Sequence, residues 1–496
     1  MTLRLYNTLT RKKETFAPFT PGKVGIYVCG ITAWDSTHLG HGRAAVVFDT
    51  LVRYLRARGL TVTYVRNYTD VDDKIINRAN KEKIGWAAIA EKYIGEYAAE
   101  MAALGNIPPD LEPRASEHIP GMIAAIEGLI RAGKAYAVGG DVFYAIRSFP
   151  AYGKLSGKKI EELEVGARVE PNETKRDPLD FALWKASKPG EPTWESPWGP
   201  GRPGWHIECS VMSTHYLGQP FDIHGGGRDL IFPHHENEIA QAEGASDKPF
   251  VRCWMHNGAL TINNEKMSKS LGNFFKTGEA LKRFDPEALR YFLLSSHYRS
   301  PLDFSEQAIS ECAQALDRFY ETTTRLGISA SENKEVAPAA SPSKGGEGEG
   351  EKRAIKAVQT LADKIEEVLA DDLNTTKALA AIFETIRDLN RYLDGQPGHP
   401  EIHRWLQDAW QRQRAALHQL LGIFGSNPNA FRERCSRLVQ ATRGVDPAEV
   451  ERLIAERAKA RKAKDFAAGD AIRARLDVLG VTVKDLPDGT TEWKVR

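Results

Sequence analysis

Val24-Gly-Ile-Tyr-Val28, followed after nine intervening residues by His38-Leu-Gly-His41, is the stretch of sequence that decides the fold. The apolar run predicts a short buried β-strand, residues 44 to 58 predict a helix, and residues 62 to 65 predict a second strand. This order is typical of a right-handed βαβ unit in a parallel sheet. Because ligands bind at the carboxyl edge of such sheets, we expect a site in the loop that carries His38 and His41.

A pair of motifs in the chain fits the phosphates of ATP. His38-Leu-Gly-His41 lies where the free N–H groups of a helix start can receive phosphate. Lys266-Met-Ser-Lys-Ser270 places two lysines in a loop rich in Asn and Gly, where they can close over phosphates and stabilise charge in a transition state. Each motif alone has an ordinary alternative: a capping or packed histidine pair in the first case, and a solvated surface loop in the second.

In this order, the two motifs resemble the signature of class I aminoacyl-tRNA synthetases, which activate an amino acid with ATP on a Rossmann-type parallel sheet. Further blocks resemble the cysteinyl-tRNA synthetase family: Tyr27-Val-Cys-Gly30, Val65 to Lys74, Gly204-Trp-His-Ile-Glu-Cys209, His224-Gly-Gly-Gly-Arg-Asp229, Phe232 to Glu238 and Trp254-Met-His-Asn-Gly258. Residues 460 to 465 and 489 to 491 continue the likeness, so the resemblance covers nearly the whole chain.

His234 and Glu238 are candidate metal ligands, since their i, i+4 spacing places both side chains on one face of a helix. From the spacing alone, a solvated helix face is the alternative. The resemblance implies that Cys29 and Cys209 complete a set of four ligands to one zinc ion. Zinc takes thiolate far more readily than hydroxyl, so such a site would select cysteine over the nearly isosteric serine without an editing domain.

The resemblance also implies roles in the reaction. His38 and His41 are expected to steady the phosphates of Mg²⁺-ATP, while Lys266 and Lys269 follow the departing pyrophosphate. Further contacts with ATP are expected from Gly40, Gly227, Asp229, Met267, Ser268 and Ser270, with the aspartate accepting a hydrogen bond from a ribose hydroxyl. Thr69 and Trp205 are expected walls of the amino-acid pocket, with plain core packing as the alternative for the tryptophan.

Composition bounds the class of protein. The 496 residues suffice for two to four domains. With 67 basic and 66 acidic residues there is no overall attraction to nucleic acid, so contact with tRNA must rely on local basic surfaces. Five cysteines without framework spacing favour a reducing compartment. No secretory signal and no membrane-spanning run is evident, so we expect a cytoplasmic protein without membrane contact. Separately, we expect it to act as a monomer.

The predicted fold class is α/β: a Rossmann-type parallel-sheet catalytic domain over residues 1–300 with an inserted subdomain at about 125–205, an α-helical bundle over 301–425, and a small C-terminal α+β domain over 430–496. The insertion is expected to cover the active site. Residues 284 to 294 predict a helix, and the apolar spacing from Leu379 to Leu389 predicts another, capped by Asn374 or Thr375. The polar stretch 329–352 predicts a flexible loop.

The C-terminal domain is a candidate for tRNA recognition. Six basic residues between Arg452 and Lys464 are typical either of a solvated helix face or of a nucleic-acid surface. The resemblance favours anticodon recognition, in which arginine and aspartate read base edges and an aromatic ring stacks on an unpaired base. The candidate residues for this role are Arg461, Asp470, Asp485 and Trp493, although Glu492 departs from the family pattern and shifts the register of the tryptophan.

Two alternative functions remain open. A related ligase makes the same cysteinyl adenylate but transfers cysteine to the amine of an amino-sugar inositol. Such ligases generally lack a tRNA-reading C-terminal domain, so the tail from residue 445 argues against this alternative. The other is an inactive tRNA- or nucleotide-binding protein with a structural zinc; the intact histidines and lysines argue against it. Asn77, where some relatives have lysine, also weakens any inference of a second activity in cysteine persulfide synthesis.

Overall fold

The computed structural model of the chain describes residues 2–162, 175–262, 265–266, 275–328, 348–395, 399–443, 446–463, 465–478, 481–485 and 491–495. The strands are β1 (Arg4–Asn7), β2 (Lys12–Thr15), β3 (Lys23–Val28), β4 (Thr61–Arg66), β5 (Ala135–Val138), β6 (Asp141–Tyr144), β7 (Phe181–Ala186), β8 (Gly201–Pro203), β9 (Phe221–Gly227), β10 (Val251–Asn257), β11 (Leu260–Ile262), β12 (Glu265–Lys266), β13 (Leu302–Phe304), β14 (Val481–Asp485) and β15 (Thr491–Val495). The α-helices are Leu39–Ala57, Asp73–Glu82, Trp86–Ala103, Ile119–Arg131, Trp205–Leu217, Glu236–Ser246, Thr277–Arg283, Pro286–Leu294, Glu306–Arg325, Glu349–Ala370, Thr375–Asp394, Pro400–Leu421, Pro428–Arg443, Pro447–Lys462 and Phe466–Val478.

A parallel sheet with strand order β10-β9-β3-β4 forms the centre of the catalytic region. The apolar runs of β3 and β4 are buried on both faces, as is typical of parallel strands. Along β3, Ile26 and Val28 belong to one hydrophobic cluster and Tyr27 to the other, so the sheet separates two apolar layers. The predicted α/β fold class is confirmed. The carboxyl edge of the parallel sheet brings together the ends of all four strands, and this edge therefore positions the site.

The helix after β3 spans Leu39–Ala57 and begins five residues before the predicted start at residue 44. The reason is local: the imidazole of His38 accepts a hydrogen bond from Gly40 N–H, and the imidazole of His41 accepts one from His38 N–H. These reciprocal bonds form a capping box, which satisfies N–H groups that a helix start leaves open. The periodicity of apolar residues could not reveal this first turn, since it carries few of them.

The inserted subdomain contains an antiparallel sheet of order β5-β6-β7-β8. These strands lie within the range 125–205 that we predict as an insertion. Helix Ile119–Arg131 and helix Trp205–Leu217 flank the sheet and share its hydrophobic cluster with Phe250 and Trp254. The subdomain thus packs directly on the layer of the parallel sheet that carries the site.

Helices dominate the described residues after β12. Helix Pro286–Leu294 begins two residues later than predicted, because Asp285 caps it and Pro286 occupies the first helical position. Helix Thr375–Asp394 has Asn374 as its cap, and Leu379, Ile382, Ile386 and Leu389 of the predicted stripe are buried. Residues 329–347 of the predicted loop 329–352 lie outside the described residues. The loop prediction is wrong at its other end, because helix Glu349–Ala370 begins there with acidic residues that suit a helix N-terminus.

The C-terminal domain combines helices with an antiparallel pair, β14 and β15, in which Val483 lies opposite Trp493 and Asp485 opposite Thr491. A small core of Val450, Leu453, Leu476 and Val481 holds helices and hairpin together. This is the predicted α+β arrangement. Within the described part of the chain, no helix is both long and apolar enough to cross a membrane.

Candidate active site

The four predicted metal ligands come together at the carboxyl edge of the parallel sheet. Cys29 follows β3 directly, Cys209 lies in helix Trp205–Leu217, His234 precedes helix Glu236–Ser246, and Glu238 lies in its first turn. Their ligand atoms all lie within 4.8 Å of one another. Cys29 Sγ is 3.6 Å from Cys209 Sγ and 3.5 Å from Glu238 Oε1, and His234 Nε2 is 3.0 Å from the same oxygen. Two thiols, an imidazole and a carboxylate fit one thiophilic metal ion.

A layer of histidines supports these ligands from behind. His224, fully buried, contacts Glu238 Oε2 through Nε2 at 2.8 Å and so leaves Oε1 facing Cys29 and His234. Nδ1 of His206 lies 2.8 Å from Nδ1 of His234. Cys29, His224, His235 and Glu238 also satisfy the distances for a metal group, but this set has only one thiol, and Nε2 of its His224 already contacts Glu238 Oε2. Outer contacts of this kind orient metal ligands and fix their tautomers.

Charge in the cluster is shared among the ligands. Burial alone would raise the pKa of Cys209, but the hydrogen bond from Cys29 and the neighbouring His234 bring it down to about 6. Burial would lower the pKa of His234, yet Glu238 and Cys209 raise it to about 10. The pKa of Glu238 is well below its ordinary value because His224 and His234 outweigh its burial. The cluster thus holds negative charge that a cation can take up, with release of the imidazole proton.

Gly30, directly after Cys29, has a steric reason to lack a side chain. A Cβ there would lie 1.6 Å from the carbonyl oxygen of Asn67, and the Gly30 N–H donates to Asn67 Oδ1 at 3.0 Å. The chain after β3 therefore passes tightly against the chain after β4. This close approach positions Cys29 in the cluster.

His38 and His41 lie half-buried at the start of helix Leu39–Ala57, with ring centroids 4.0 Å apart. Their Nδ1 atoms cap the helix, as the ordinary interpretation of the pair requires. Capping and phosphate binding are compatible, because the same helix start presents N–H groups and a positive dipole end. Gly40 is part of this turn, and a Cβ there would meet the ring of His38 at 2.8 Å.

The segment that follows the lysine motif lies against the histidine motif. His38 and Lys276 form an antiparallel bridge, and Leu39 N–H donates to the carbonyl of Phe275 at 3.2 Å. Lys276 follows Lys269 by seven residues. Lys266 ends β12, but its side chain and the residues Met267, Ser268, Lys269 and Ser270 lie outside the described part of the chain. Segments more than two hundred residues apart in sequence therefore meet at one edge of the sheet.

Comparison with known proteins identifies the family. Residues 15–314 match the catalytic domain of class I tRNA synthetases (C), residues 364–426 match the DALR domain, and residues 446–493 match the cysteinyl-tRNA ligase anticodon binding domain. Cysteine–tRNA ligases of Geobacter metallireducens and Pelobacter propionicus are 52% and 50% identical over 500 residues, across 100% of this chain and of each relative. The chain belongs to the cysteinyl-tRNA synthetase family. The predicted family and enzyme class, an aminoacyl-tRNA synthetase for cysteine, are confirmed.

Solved structures show that the fold is shared more widely than the sequence. Methionyl-tRNA synthetase of Mycobacterium tuberculosis in complex with methionyl-adenylate aligns with a TM-score of 0.60 at 16% identity, covering 81% of this chain and 92% of that chain. A putative arginyl-tRNA synthetase from Campylobacter jejuni gives 0.52 at 12% identity, covering 82% and 93%. This chain thus shares the class I synthetase fold, and the cluster of Cys29, Cys209, His234 and Glu238 is built into it.

The two expected walls of the amino-acid pocket lie beside this cluster. Trp205 is 38% exposed and stacks on the ring of His234, with centroids 4.3 Å apart. An exposed ring that stacks on a predicted ligand histidine fits a pocket wall better than it fits core packing. Thr69 is buried, and its hydroxyl donates to Glu208 Oε2 at 2.6 Å. Its hydroxyl is therefore already engaged within the protein, which sequence alone did not indicate.

The other candidates lie apart from this cluster. Gly227 ends β9, and a Cβ there would lie 2.4 Å from Asp229 Oδ1, so the glycine lets the aspartate fold back over the strand end. In the C-terminal domain, Arg461 binds the carboxylate of Asp485, which also takes two hydrogen bonds from Arg457 at 2.7 and 2.9 Å. Asp470 is exposed on helix Phe466–Val478. Trp493 lies in β15, and its side chain is outside the described atoms.

Sequence reasoning missed several residues of the site. His206 and His224 lie in quoted family blocks but received no role, because no spacing rule connects them with Glu238. Glu100, on helix Trp86–Ala103, was missed entirely; its carboxylate accepts a hydrogen bond from Thr37, the residue before His38. A buried glutamate in an otherwise apolar helix face was the signal that could have marked it.

Proposed function

We propose that this chain activates L-cysteine with ATP to cysteinyl-adenylate and transfers the cysteinyl group to the 3′ end of tRNA(Cys), with one zinc ion selecting the thiol. The observation that carries the proposal is the buried cluster of Cys29, Cys209, His234 and Glu238 beside the helix capped by His38 and His41. These four residues would hold the zinc ion. When bound there, zinc supplies a soft Lewis acid for the substrate sulfur, which a serine hydroxyl satisfies poorly.

In the first step, a carboxylate oxygen of cysteine attacks the α-phosphate of ATP, and the bond to the departing pyrophosphate breaks. His38 and His41 steady the phosphates with the helix N-terminus, and Lys266 and Lys269 follow the leaving group. Mg²⁺ accompanies ATP. Because no side chain forms a covalent bond, the protein contributes positioning and electrostatic stabilisation.

In the second step, a terminal ribose hydroxyl of tRNA attacks the carbonyl carbon of the adenylate, and AMP leaves. Gly227 and Asp229 hold the adenosine through both steps, while Thr69 and Trp205 enclose the amino acid. Gly40, Met267, Ser268 and Ser270 complete the ATP contacts. Arg461, Asp470, Asp485 and Trp493 of the C-terminal domain recognise the anticodon. We infer a catalytic domain over residues 1–300, a helical bundle over 301–425 and an anticodon-binding domain over 430–496. We further infer that the protein is cytoplasmic and acts as a monomer.

The alternative of an amine ligase is disfavoured by the C-terminal region. A ligase acting on a small amino sugar has no need of a tRNA-reading module, whereas residues 446–493 match an anticodon binding domain. The inactive binding protein is disfavoured by the meeting of His38 with Lys276, since a purely structural zinc protein has no need to join the two phosphate motifs.

ATP–pyrophosphate exchange with the purified chain tests the proposal, comparing cysteine with serine and then adding tRNA. Exchange with cysteine alone, followed by charging of tRNA, is the expected result. Cysteine-dependent exchange without charging would favour the amine ligase. Absence of exchange by metal-replete protein would overturn both. Zinc content, measured in parallel, is expected to be about one ion per chain, as the four-ligand set requires.

A further inference from the structure

A cavity of about 290 Å³ lies at the carboxyl ends of β9 and the edge strand β10, and none of the four predicted metal ligands lines it. It is formed where the β1–β2 turn, the loop 155–156 of the inserted subdomain and the segment after β9 meet. Its polar wall consists of three arginines and three hydroxyl-bearing side chains: Arg11, Arg228, Arg299, Tyr6, Thr8 and Ser156. Among the described residues that line it, none is acidic.

The charges of this cavity are not all neutralised within the protein. Arg299 binds Asp372 at 2.7 Å and stacks on Tyr6, so its charge is already paired. Arg11 and Arg228, in contrast, form no ion pair or hydrogen bond through their side chains within the described residues. Lys158 adds a further cation beside the wall, 4.2 Å above the ring of Phe232. A cavity with unpaired guanidinium groups and hydroxyl donors suits an anion.

The walls are held in place by buried contacts. The loop that carries Leu155 and Ser156 is anchored by the fully buried carboxylate of Glu236, which accepts from the backbone N–H of Gly153, Leu155 and Ser156 at 2.9, 3.4 and 2.8 Å. On the strand side, His256 contacts Thr8 Oγ1 through Nδ1 and His235 through Nε2, each at 2.8 Å. Two of the walls are thus fixed before any ligand arrives.

Arg11 is held in a specific conformation. Its backbone is in the left-handed region with φ of 60°, and its N–H donates to the carbonyl of Asn7 at 2.8 Å. Its guanidinium lies against Gly157, where a Cβ would be only 2.1 Å from an Arg11 nitrogen. A long side chain that lies across to the inserted subdomain, without pairing to a carboxylate of the described residues, is available for an external anion.

We propose that this cavity binds a backbone phosphate of the tRNA substrate near its acceptor end; this inference rests on the function proposed above. The phosphates of ATP belong with His38, after β3. Because β9 lies between β3 and β10, the side of the cavity formed by His256 of β10 is two strand spacings, roughly 10 Å, from the end of β3. Arg228 directly precedes Asp229, the proposed ribose contact, so a tRNA that brings its 3′ end to the adenylate passes close to this wall.

The charge balance of the chain also favours a tRNA contact at this cavity. A chain with a net charge of +1 must bind tRNA through local basic surfaces. In the C-terminal domain, Arg457 and Arg461 are already paired with Asp485. The cavity of Arg11 and Arg228 is a basic surface whose charges remain open to a phosphate, and phosphate contacts supply most of the affinity that does not depend on sequence.

The test compares full-length Arg11→Gln with wild type in equilibrium binding of a tRNA(Cys) transcript over a range of salt concentrations. We expect affinity to fall roughly tenfold, as for loss of a charged hydrogen bond. The slope of log K against log salt should decrease in magnitude by about 1, as for one lost phosphate contact. ATP–pyrophosphate exchange with cysteine should stay unchanged. Arg131→Gln, which removes an arginine exposed on helix Ile119–Arg131, is the matched control and should leave both measurements unchanged.

Three results would overturn the proposal. Unchanged tRNA affinity and salt slope in both Arg11→Gln and a second variant, Arg228→Gln, would exclude a phosphate contact. A parallel loss of exchange in Arg11→Gln would assign the cavity to the ATP site. Stabilisation of wild type by inorganic phosphate that Arg11→Gln abolishes, without any change in tRNA binding, would identify a free-phosphate site. Failure of exchange in wild type itself would instead contradict the proposed function, so the two failures are distinguishable.

Discussion

Thr277 and Thr37 join the two segments that carry the phosphate motifs: the N–H of Thr277 donates to the carbonyl of Thr37 at 3.0 Å, and their hydroxyl oxygens lie 3.1 Å apart. The Thr37 hydroxyl also donates to the carboxylate of Glu100. All three side chains are buried, with exposures of 0% to 5%. The backbone N–H of Gly278 also donates to the Glu100 carboxylate. Because helix Thr277–Arg283 follows the lysine motif and Thr37 precedes His38, Glu100 holds the two segments together.

Replacing Glu100 tests this coupling. Glu100→Ala removes the charged acceptor and leaves the buried Thr37 hydroxyl with only the Thr277 hydroxyl as a partner, at a cost of about 1–3 kcal/mol, so the two motifs should lose their fixed spacing. We expect a raised KM for ATP and a lower rate in pyrophosphate exchange, while the KM for cysteine changes little. Glu100→Gln keeps an acceptor oxygen and should restore most of the activity. Glu96→Ala, one turn earlier on the same helix, is the control; an equal loss there would indicate only a weakened helix.

The same carboxyl predicts a pH dependence of stability. Burial raises the pKa of Glu100, although the hydrogen bond from Thr37 opposes this. The folded protein therefore holds this proton more tightly than the unfolded chain. The resulting stability is fully present below the unfolded pKa of about 4.3 and is lost as the pH rises through the folded pKa. The Tm of Glu100→Gln relative to wild type should accordingly increase from pH 4 to pH 7; a constant difference would contradict the assignment.

Removal of one thiol tests the metal centre. In Cys209→Ser a hydroxyl replaces a soft ligand, so the bound zinc per chain should fall well below that of wild type, and exchange with cysteine should fall with it. Elemental analysis after gel filtration measures the zinc content, and exchange of radiolabelled pyrophosphate measures the activity. Cys435→Ser alters a half-buried cysteine outside the cluster and should keep the full metal content. Full zinc in Cys209→Ser would show that another set of ligands holds the ion.

Local patterns predicted the parts of the fold that are encoded locally. β3 and β4 could be predicted because parallel strands are apolar on both faces, and the i, i+4 spacing of His234 and Glu238 placed both on one side of the chain. Cys29 and Cys209, 180 residues apart, could be joined to them only through the family resemblance. No spacing rule relates residues that are brought together by the order of strands in a sheet.

The same limit explains what was missed. Glu100, on helix Trp86–Ala103, meets Thr37 in the loop after β3, and His224 of β9 meets Glu238 of helix Glu236–Ser246. Neither contact has a signature within one segment of sequence. The early start of helix Leu39–Ala57 depends on imidazole caps, which are less common than Ser, Thr, Asp or Asn at this position. Similarly, Arg461 and Asp485 were named separately, and their ion pair is visible only once β14 packs beside helix Pro447–Lys462.

Trp205 provides a test of the amino-acid pocket. Its ring stacks on His234 but is 38% exposed, so Trp205→Ala should raise the KM for cysteine roughly tenfold through loss of the wall, with only a small decrease in Tm. Trp254 is the contrast: it is 1% exposed and stacks on His224. Trp254→Ala should cost about 3–5 kcal/mol of stability. A Tm loss in Trp205→Ala as large as in Trp254→Ala would favour core packing over a pocket wall.

Arg461 separates anticodon recognition from bulk charge. If its guanidinium contacts an anticodon base, Arg461→Gln should reduce kcat/KM for tRNA about tenfold or more and weaken discrimination against anticodon variants, because a specific contact is worth about 1–3 kcal/mol. Its ion pair with Asp485 is exposed, so Tm should change little. Arg452→Gln is a matched control on the same helix, with 58% against 51% side-chain exposure and an ion pair to Glu456 at 3.2 Å. Equal losses of kcat/KM in the two variants, with unchanged discrimination against anticodon variants, would mean that this helix contributes only charge. A loss of kcat/KM confined to Arg461→Gln, with ATP–pyrophosphate exchange unaffected, would place base recognition at this residue.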